Sequence, residues 1–265
     1  MIRRISLATF LAALMAAAGC SSPPKEDPNS TQAVEKLYAE GKDEMASGAY
    51  DRAAKIFERV EGRAAGTLLA QQASLDLAYS QYRSGERATA LATLDRFIRL
   101  QPSSPALDYA YYLRGVINFN DNLGVLSALS RQDLSERDQQ ASRESYQAFK
   151  QVVDGFPQSR YATDAKQRMD YIVNALAEYE LHVARYYFRR GAFVAAVNRA
   201  QQVLLEFQGA PATEEALYIL VASYERLGLA RLRADAERVL RTNYPNSAFL
   251  RDGVRQASKS WWQLW

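Results

Sequence analysis

Gly48-Ala49-Tyr50-Asp51-Arg52-Ala53-Ala54-Lys55-Ile56-Phe57 is the stretch on which the fold turns, because its outline returns along the chain. A glycine is followed five residues later by a small residue and nine residues later by a larger apolar one. The series runs Gly48, Ala53, Phe57, then Gly85, Ala90, Leu94, then Gly191, Ala196, with Ala200 and Val203 behind it. Gly228 is a fourth glycine that, like these, sits between two helical patterns. Gly48 to Gly85 and Gly191 to Gly228 are each 37 residues apart. The span between Gly85 and Gly191 divides into three units of about 35, close to the period of a helical repeat. On either side of each glycine the apolar residues recur at helical spacing, so each glycine reads as a turn between two helices. Pro102, Pro157 and Pro245 end units, since proline cannot continue a helix and biases the residue before it away from the helical region.

A period near 34 built as helix, turn, helix is the tetratricopeptide (TPR) signature. In it a small residue on the second helix lets two helices approach, and a larger apolar residue fills the space beside it. The expectation is an all-α protein, a TPR helix-turn-helix solenoid of about five repeats, with an unusually long first helix, 163–190, in the fourth. The third repeat is irregular. Its helices are expected over about 106–119, with Tyr109, Tyr111, Tyr112 and Gly115, and about 138–154, with Tyr146, Phe149 and Val152. Residues 120–137 between them carry Asn, Asp, Gly and Ser around Leu123, Val125, Leu126 and Leu129. Such an insertion is either part of a binding face or a tolerated surface excursion.

The chain opens with a charged pair, Arg3 and Arg4, an apolar run Ile5–Ala18 broken only by Ser6 and Thr9, and Gly19-Cys20. That is the layout of a secretory signal peptide, 1–19, which falls short of the roughly 20 apolar residues that span a bilayer. Ala17-Ala18-Gly19-Cys20 is similar to the bacterial lipobox, with Ala17 where Leu is commonest, which implies a diacylglyceryl group on Cys20. Cys20 is the only cysteine, so it has no disulfide partner within the chain. Several acyl chains at about 0.8 kcal/mol per buried CH₂ would make a durable anchor. Ser21 after the cysteine, by the same resemblance, points to the outer membrane. Residues 20–30, rich in proline, read as a lipidated flexible tether; 31–130 and 131–250 read as the two TPR halves, and 251–265 as a Trp-rich tail.

The formal charge of +3 falls to +1 without Arg3 and Arg4, and no basic stripe remains that would suit nucleic acid. At 48% hydrophobic composition the chain can bury a sizeable core. Catalysis lacks its parts. His182 is the only histidine and Cys20 is committed to lipid, which leaves no nucleophile pair or zinc set, and no glycine motif for phosphate occurs. Glu178 and Glu180 lie two apart on a helix and diverge. No cofactor is expected beyond the covalent lipid, and the chain reads as a protein that holds other proteins.

Several strings then bring a family into view. They are Arg96-Phe97-Ile98-Arg99-Leu100-Gln101-Pro102-Ser103-Ser104-Pro105 with Asp108-Tyr109 and Tyr112-Leu113-Arg114-Gly115, Ser135-Glu136-Arg137-Asp138, and Phe156-Pro157-Gln158-Ser159-Arg160-Tyr161 with Asp164-Ala165. Tyr179-Glu180, Val183-Ala184-Arg185-Tyr186-Tyr187, Arg190-Gly191-Ala192 and Ala195-Ala196-Val197-Asn198-Arg199 continue the series. In order, they resemble the BamD family, TPR lipoproteins of the β-barrel assembly machinery. Residues 61–69 depart from it, with no Tyr-Pro turn.

The resemblance implies a lipid-anchored scaffold at the periplasmic face of the outer membrane. Its implied partners are a BamA-like barrel insertase, other assembly-machinery lipoproteins and unfolded outer-membrane proteins. The C-terminal repeats would bind the insertase's periplasmic domains, with Asn198 and Arg199 as candidates, Arg199 being suited to a carboxylate. The N-terminal repeats would engage the aromatic C-terminal strand signal of barrel proteins in a groove, with Tyr79, Tyr82, Tyr109 and Tyr112 as candidates; half-buried packing is the plainer reading of each. Arg199 reads equally as a solvated surface charge. Trp261-Trp262-Gln263-Leu264-Trp265 packs on the last helix, meets a partner or sits at a membrane interface. Two rivals stay open: a periplasmic TPR adaptor coordinating cell-wall synthesis with outer-membrane constriction, and an accessory subunit of a peptidoglycan enzyme complex.

Overall fold

The structure is a computed structural model, and it describes Asp27, residues 29–119 and residues 136–252. Cys20, most of the tether, residues 120–135 of the insertion and the Trp261–Trp265 tail lie outside the described residues. The described chain is helical throughout its regular elements. In order these are α1 (Thr31–Ala46), α2 (Tyr50–Arg63), α3 (Leu68–Arg83), α4 (Arg87–Leu100), α5 (Leu107–Asn118), α6 (Glu136–Gly155), α7 (Ala162–Arg189), α8 (Phe193–Glu206), α9 (Ala212–Arg226), α10 (Ala230–Asn243) and the short α11 (Phe249–Asp252). Consecutive helices up to α10 form five pairs, the TPR arrangement expected, and α7 is the long first helix of the fourth.

The turns explain why the glycines recur. At the end of α1, Gly48 has φ 81°, a left-handed conformation that costs a side chain about 1 kcal/mol or more. Gly48 N donates to the Met45 carbonyl at 3.1 Å and Ala49 N to the Glu44 carbonyl at 2.9 Å, which satisfies the last carbonyls of α1. The same two bonds recur at Gly85, Gly191 and Gly228. A Cβ at any of these four would meet nothing within 4 Å, so dihedral angle rather than space selects glycine there.

Between repeats the chain uses two devices. Pro102, Pro157 and Pro245 follow the ends of α4, α6 and α10. Between α2 and α3, where that turn is missing, Gly66 takes φ 83° and Thr67 caps the next helix. Thr67 Oγ1 accepts from Ala70 N at 3.2 Å and donates to the Ala64 carbonyl at 2.7 Å. Gly209, φ 87°, does the same work ahead of α9.

By packing, the chain forms two compact units, Met1–Phe97 and Ile98–Trp265. That boundary falls inside α4, whereas the halves expected from sequence meet near residue 130, within the undescribed insertion. In the first unit α2 packs on α1 and α3. Its core gathers Val34, Leu37, Ala53, Ile56, Phe57, Val60 and Leu77. Ala53 and Phe57, the small and large apolar residues that follow Gly48, are both fully buried, as are Ala90 and Leu94. Burying a side chain such as Phe57 is worth about 1.5–3 kcal/mol. In the second unit α6 packs on α5 and α7, α8 on α7 and α9, and α9 also touches α7. Phe149, Val152, Ile172, Leu181, Ala196, Ala200, Val203 and Ile219 lie at the centre of its core.

Glycine has a second use inside helices. A Cβ on Gly115 of α5 would stand 2.5 Å from Phe149 Cε1, and one on Gly41 of α1 would stand 2.8 Å from Phe57 Cε1. These glycines are the sockets into which the aromatic of the paired helix fits.

Candidate functional site

In the first unit the surface of interest lies on α3 and the α1–α2 turn. Tyr79 and Tyr82 are half-buried on the last turns of α3. Tyr50, the first residue of α2, meets Tyr79 edge-on with ring centroids 6.2 Å apart. The Arg83 guanidinium lies 4.6 Å from the Tyr50 ring centroid and 5.7 Å from that of Tyr79, and Arg83 Nη1 donates to Tyr79 Oη at 2.8 Å. The hydrogen bond to Tyr79, the largest cause, and the nearby tyrosine oxygens push the Arg83 pKa up, so its charge is permanent. Deeper in this unit Tyr38 Oη donates to the buried Asp76 at 2.7 Å, with Lys42 3.4 Å from the same carboxylate. Burial, then that hydrogen bond, hold the Tyr38 phenol above its ordinary value.

The other two groove candidates, Tyr109 and Tyr112 of α5, lie in the second unit and are engaged there. Tyr112 stacks on Tyr161 at 4.6 Å and donates to Asp164 at 2.8 Å. Tyr109 tilts against Tyr161 at 5.5 Å. Arg168 Nε also donates to Asp164, at 2.6 Å. Burial raises the Asp164 pKa, but the hydrogen bonds from Arg168 and Tyr112 outweigh it and hold the carboxyl below its usual range. Ser159 closes the cluster by donating to Asp108 at 2.6 Å. These tyrosines brace the third repeat against the start of α7, and the Tyr112 hydroxyl is already committed to Asp164.

Asn198 and Arg199 are neighbours in sequence but not on the surface, because successive helical residues are about 100° apart. Asn198 is exposed and shares a stripe of α8 with Val194 and Leu205, which are 61% and 76% exposed. Arg199 turns instead toward α7. Its Nη1 donates to Glu180 at 2.9 Å and lies 3.4 Å from Gln202. The Glu180 side chain is only 4% exposed, so Arg199 neutralises a buried carboxylate while its own side chain stays 41% exposed. The sequence gives no sign of this pair, since it joins two helices.

Beside it Arg185 of α7 makes a two-pronged bond to Glu215 of α9, with Nε to Oε1 2.5 Å and Nη2 to Oε2 2.6 Å, and a third contact to Glu178 at 2.8 Å. Burial lowers the Arg185 pKa, but the two glutamates raise it further above its ordinary value than burial takes away. His182 is exposed on the same helix. Among the described residues no cluster of three or more His, Cys, Asp or Glu is placed to hold a metal ion, and no described helix is long and apolar enough to cross a membrane.

The pattern of the YfiO family, described as outer membrane lipoprotein, matches residues 30–240. The outer membrane protein assembly factor BamD of Neisseria meningitidis serogroup B is 45% identical over 266 residues, covering 100% of both chains. The factor of the same name from Xylella fastidiosa strain Temecula1 is 37% identical over 92% of this chain and 84% of its own. That of Haemophilus influenzae is 31% identical over 91% and 92%. A solved structure of TPR-like repeats from a Podosopora anserina putative kinesin light chain is similar over 84% of this chain at 14% identity and a TM-score of 0.36.

Proposed function

The chain belongs to the YfiO family of outer membrane lipoproteins, and on that premise we propose that it is a lipid-anchored scaffold of β-barrel protein assembly in the outer membrane. The observation that carries this reading is the end-to-end 45% identity with an outer membrane protein assembly factor. A match that covers 100% of both chains favours retention of the whole binding scaffold rather than of the TPR fold alone. Cys20 carries the lipid and holds the repeats at the periplasmic face. Scaffolding, not catalysis, is the activity: the repeats supply rigid helical surfaces on which other proteins dock.

Two surfaces divide the work. The second unit takes the periplasmic domains of a BamA-like insertase. Asn198, with Val194 and Leu205 on the same exposed stripe of α8, makes direct contact, while Arg199 offers the outer edge of a guanidinium already tied to Glu180. The first unit takes the aromatic C-terminal signal of unfolded barrel proteins on the α3 surface at Tyr79 and Tyr82. Tyr109 and Tyr112 contribute ring edges to substrate contact within the second unit.

The test is a mild-detergent pull-down of the tagged, lipidated full chain from its native envelope, with variants chosen around the ion pair. Arg199→Glu is a poor probe, because it would set a second carboxylate against buried Glu180. Asn198→Glu leaves every described ion pair intact. It is expected to lower recovery of a large barrel protein bearing periplasmic domains by roughly fivefold or more, the loss of about 1 kcal/mol of interface energy. Arg199→Lys, which keeps the charge but not the fork, is expected to lower it less. Recovery of cell-wall enzymes with no barrel insertase would overturn the reading in favour of a cell-wall adaptor.

A further inference from the structure

We propose that Glu180, buried on α7, is a positioning residue for insertase docking: it holds Arg199 so that the free edge of the guanidinium meets a carboxylate on the partner's periplasmic domain. This rests on the insertase reading above and adds to it the residue that aims the contact.

Another arginine of the same unit shows the completed form of the arrangement. Arg185 spends Nη1 on Glu178 at 2.8 Å, while its Nε and Nη2 take the two oxygens of Glu215 at 2.5 and 2.6 Å. Arg199 repeats the first half alone. Its Nη1 donates to Glu180 Oε2 at 2.9 Å and lies 3.4 Å from Gln202 Oε1, so both acceptors sit on one nitrogen. Nε and Nη2 have no acceptor among the described residues, and the side chain is 41% exposed. The unfilled edge is the fork that matches two carboxylate oxygens.

Glu180 fixes the direction in which that edge faces. Its side chain is 4% exposed, so the carboxylate stays within the packing of α7 while Arg199 reaches it from α8. An arginine loose in solvent gives up rotamer freedom when a partner arrives, and one already anchored at Nη1 has given up much of it beforehand. Against this, the Glu180 charge opposes an incoming carboxylate. Substitution separates the two effects: glutamine keeps an acceptor for Nη1 and removes the charge, whereas leucine removes both. Leucine strands no buried charge, because the Arg199 guanidinium can turn to solvent, so the fold is expected to hold.

The experiment uses the tagged, lipidated full chain carrying Glu180→Gln or Glu180→Leu, each with and without Arg199→Met, in mild-detergent pull-downs from native envelopes. The recovered barrel insertase is quantified against wild type. Glu180→Leu is expected to recover about fivefold less than Glu180→Gln, the scale of immobilising one long side chain. With Arg199→Met added the two are expected to recover equal amounts, since no guanidinium remains to be aimed. Urea unfolding is expected to rank Glu180→Leu no lower than Glu180→Gln, which separates loss of aim from loss of fold. Equal recovery by the two variants while Arg199 is present, or a gap that survives Arg199→Met, overturns this inference and leaves the insertase reading standing. Wild type that brings down no barrel insertase overturns both.

Discussion

Replacing Gly115 with alanine is expected to lower the unfolding free energy by about 2 kcal/mol and the melting temperature by roughly 4–8 °C, although alanine is the better helix former by about 1 kcal/mol. The socket decides the sign. The added Cβ would stand 2.5 and 2.6 Å from two ring carbons of Phe149, against about 3.5–4.0 Å for a comfortable contact. The ring has nowhere to go: Phe149 is fully buried, with Tyr112 at 5.9 Å and Phe119 at 6.2 Å between centroids. Nor is the α5 backbone free to retreat, since Ser145 of α6 donates to the Gly115 carbonyl at 2.8 Å. Overpacking of this kind costs about 1–3 kcal/mol, at the upper end for so short an approach, and exceeds the propensity gain. Phe149→Leu, destabilising alone, should be less so in the Gly115→Ala background, and urea unfolding of the four proteins measures that coupling. A Gly115→Ala protein as stable as wild type would show the socket to be looser than described.

A loss of about 2–3 kcal/mol is expected from Arg185→Met, for an electrostatic reason. Removing the guanidinium leaves Glu215, whose side chain is 12% exposed, without its two-pronged partner. A carboxylate stranded in that way is the costly outcome, more than the lost attraction itself. The contact to Glu178 adds little, because that carboxylate is 58% exposed and screened by solvent. Arg185→Lys should cost less than Arg185→Met, while the double change Arg185→Met with Glu215→Leu should recover most of the loss by removing the stranded charge. Denaturant titrations at low and high salt check this, and the effect should persist at high salt because the pair is largely shielded from solvent. A double variant no better than the single one would mean that the pair contributes through its own attraction rather than by satisfying Glu215.

The helices could be read from the sequence because their punctuation is local. The span 163–190 expected for the long helix is observed as Ala162–Arg189, and 106–119 as Leu107–Asn118. Gly48, Gly85, Gly191 and Gly228 mark turns through their own dihedral preference, which needs no knowledge of what packs nearby. Gly66 and Gly209 do not stand out in the sequence because they fall between repeats, where other repeats carry proline. What the sequence could not show is which groups meet across helices. Glu180 and Glu178, two apart on one helix, diverge as expected, yet Glu180 finds Arg199 on α8, and Arg185, which reaches Glu178 from two turns along α7, makes its two-pronged bond to Glu215 on α9. Tyr112 looked like a groove residue and is half-buried against Tyr161, a contact made across 49 residues of chain. Nothing in the sequence marks Arg83, because an arginine near a helix end is ordinary; only Tyr50, from another helix, sets it apart.

The 28 residues of α7 make a rod of about 42 Å. Three helices of the second unit, α6, α8 and α9, pack against it. Repeat arrays ordinarily fray from their ends, one hairpin at a time, because each repeat answers only to its neighbours. A rod held in common removes that freedom, since the third, fourth and fifth hairpins all lose an interface when it melts. Amide protons in the middle of α7 should therefore exchange with solvent only when the entire second unit opens, and that unit behaves as a single cooperative block.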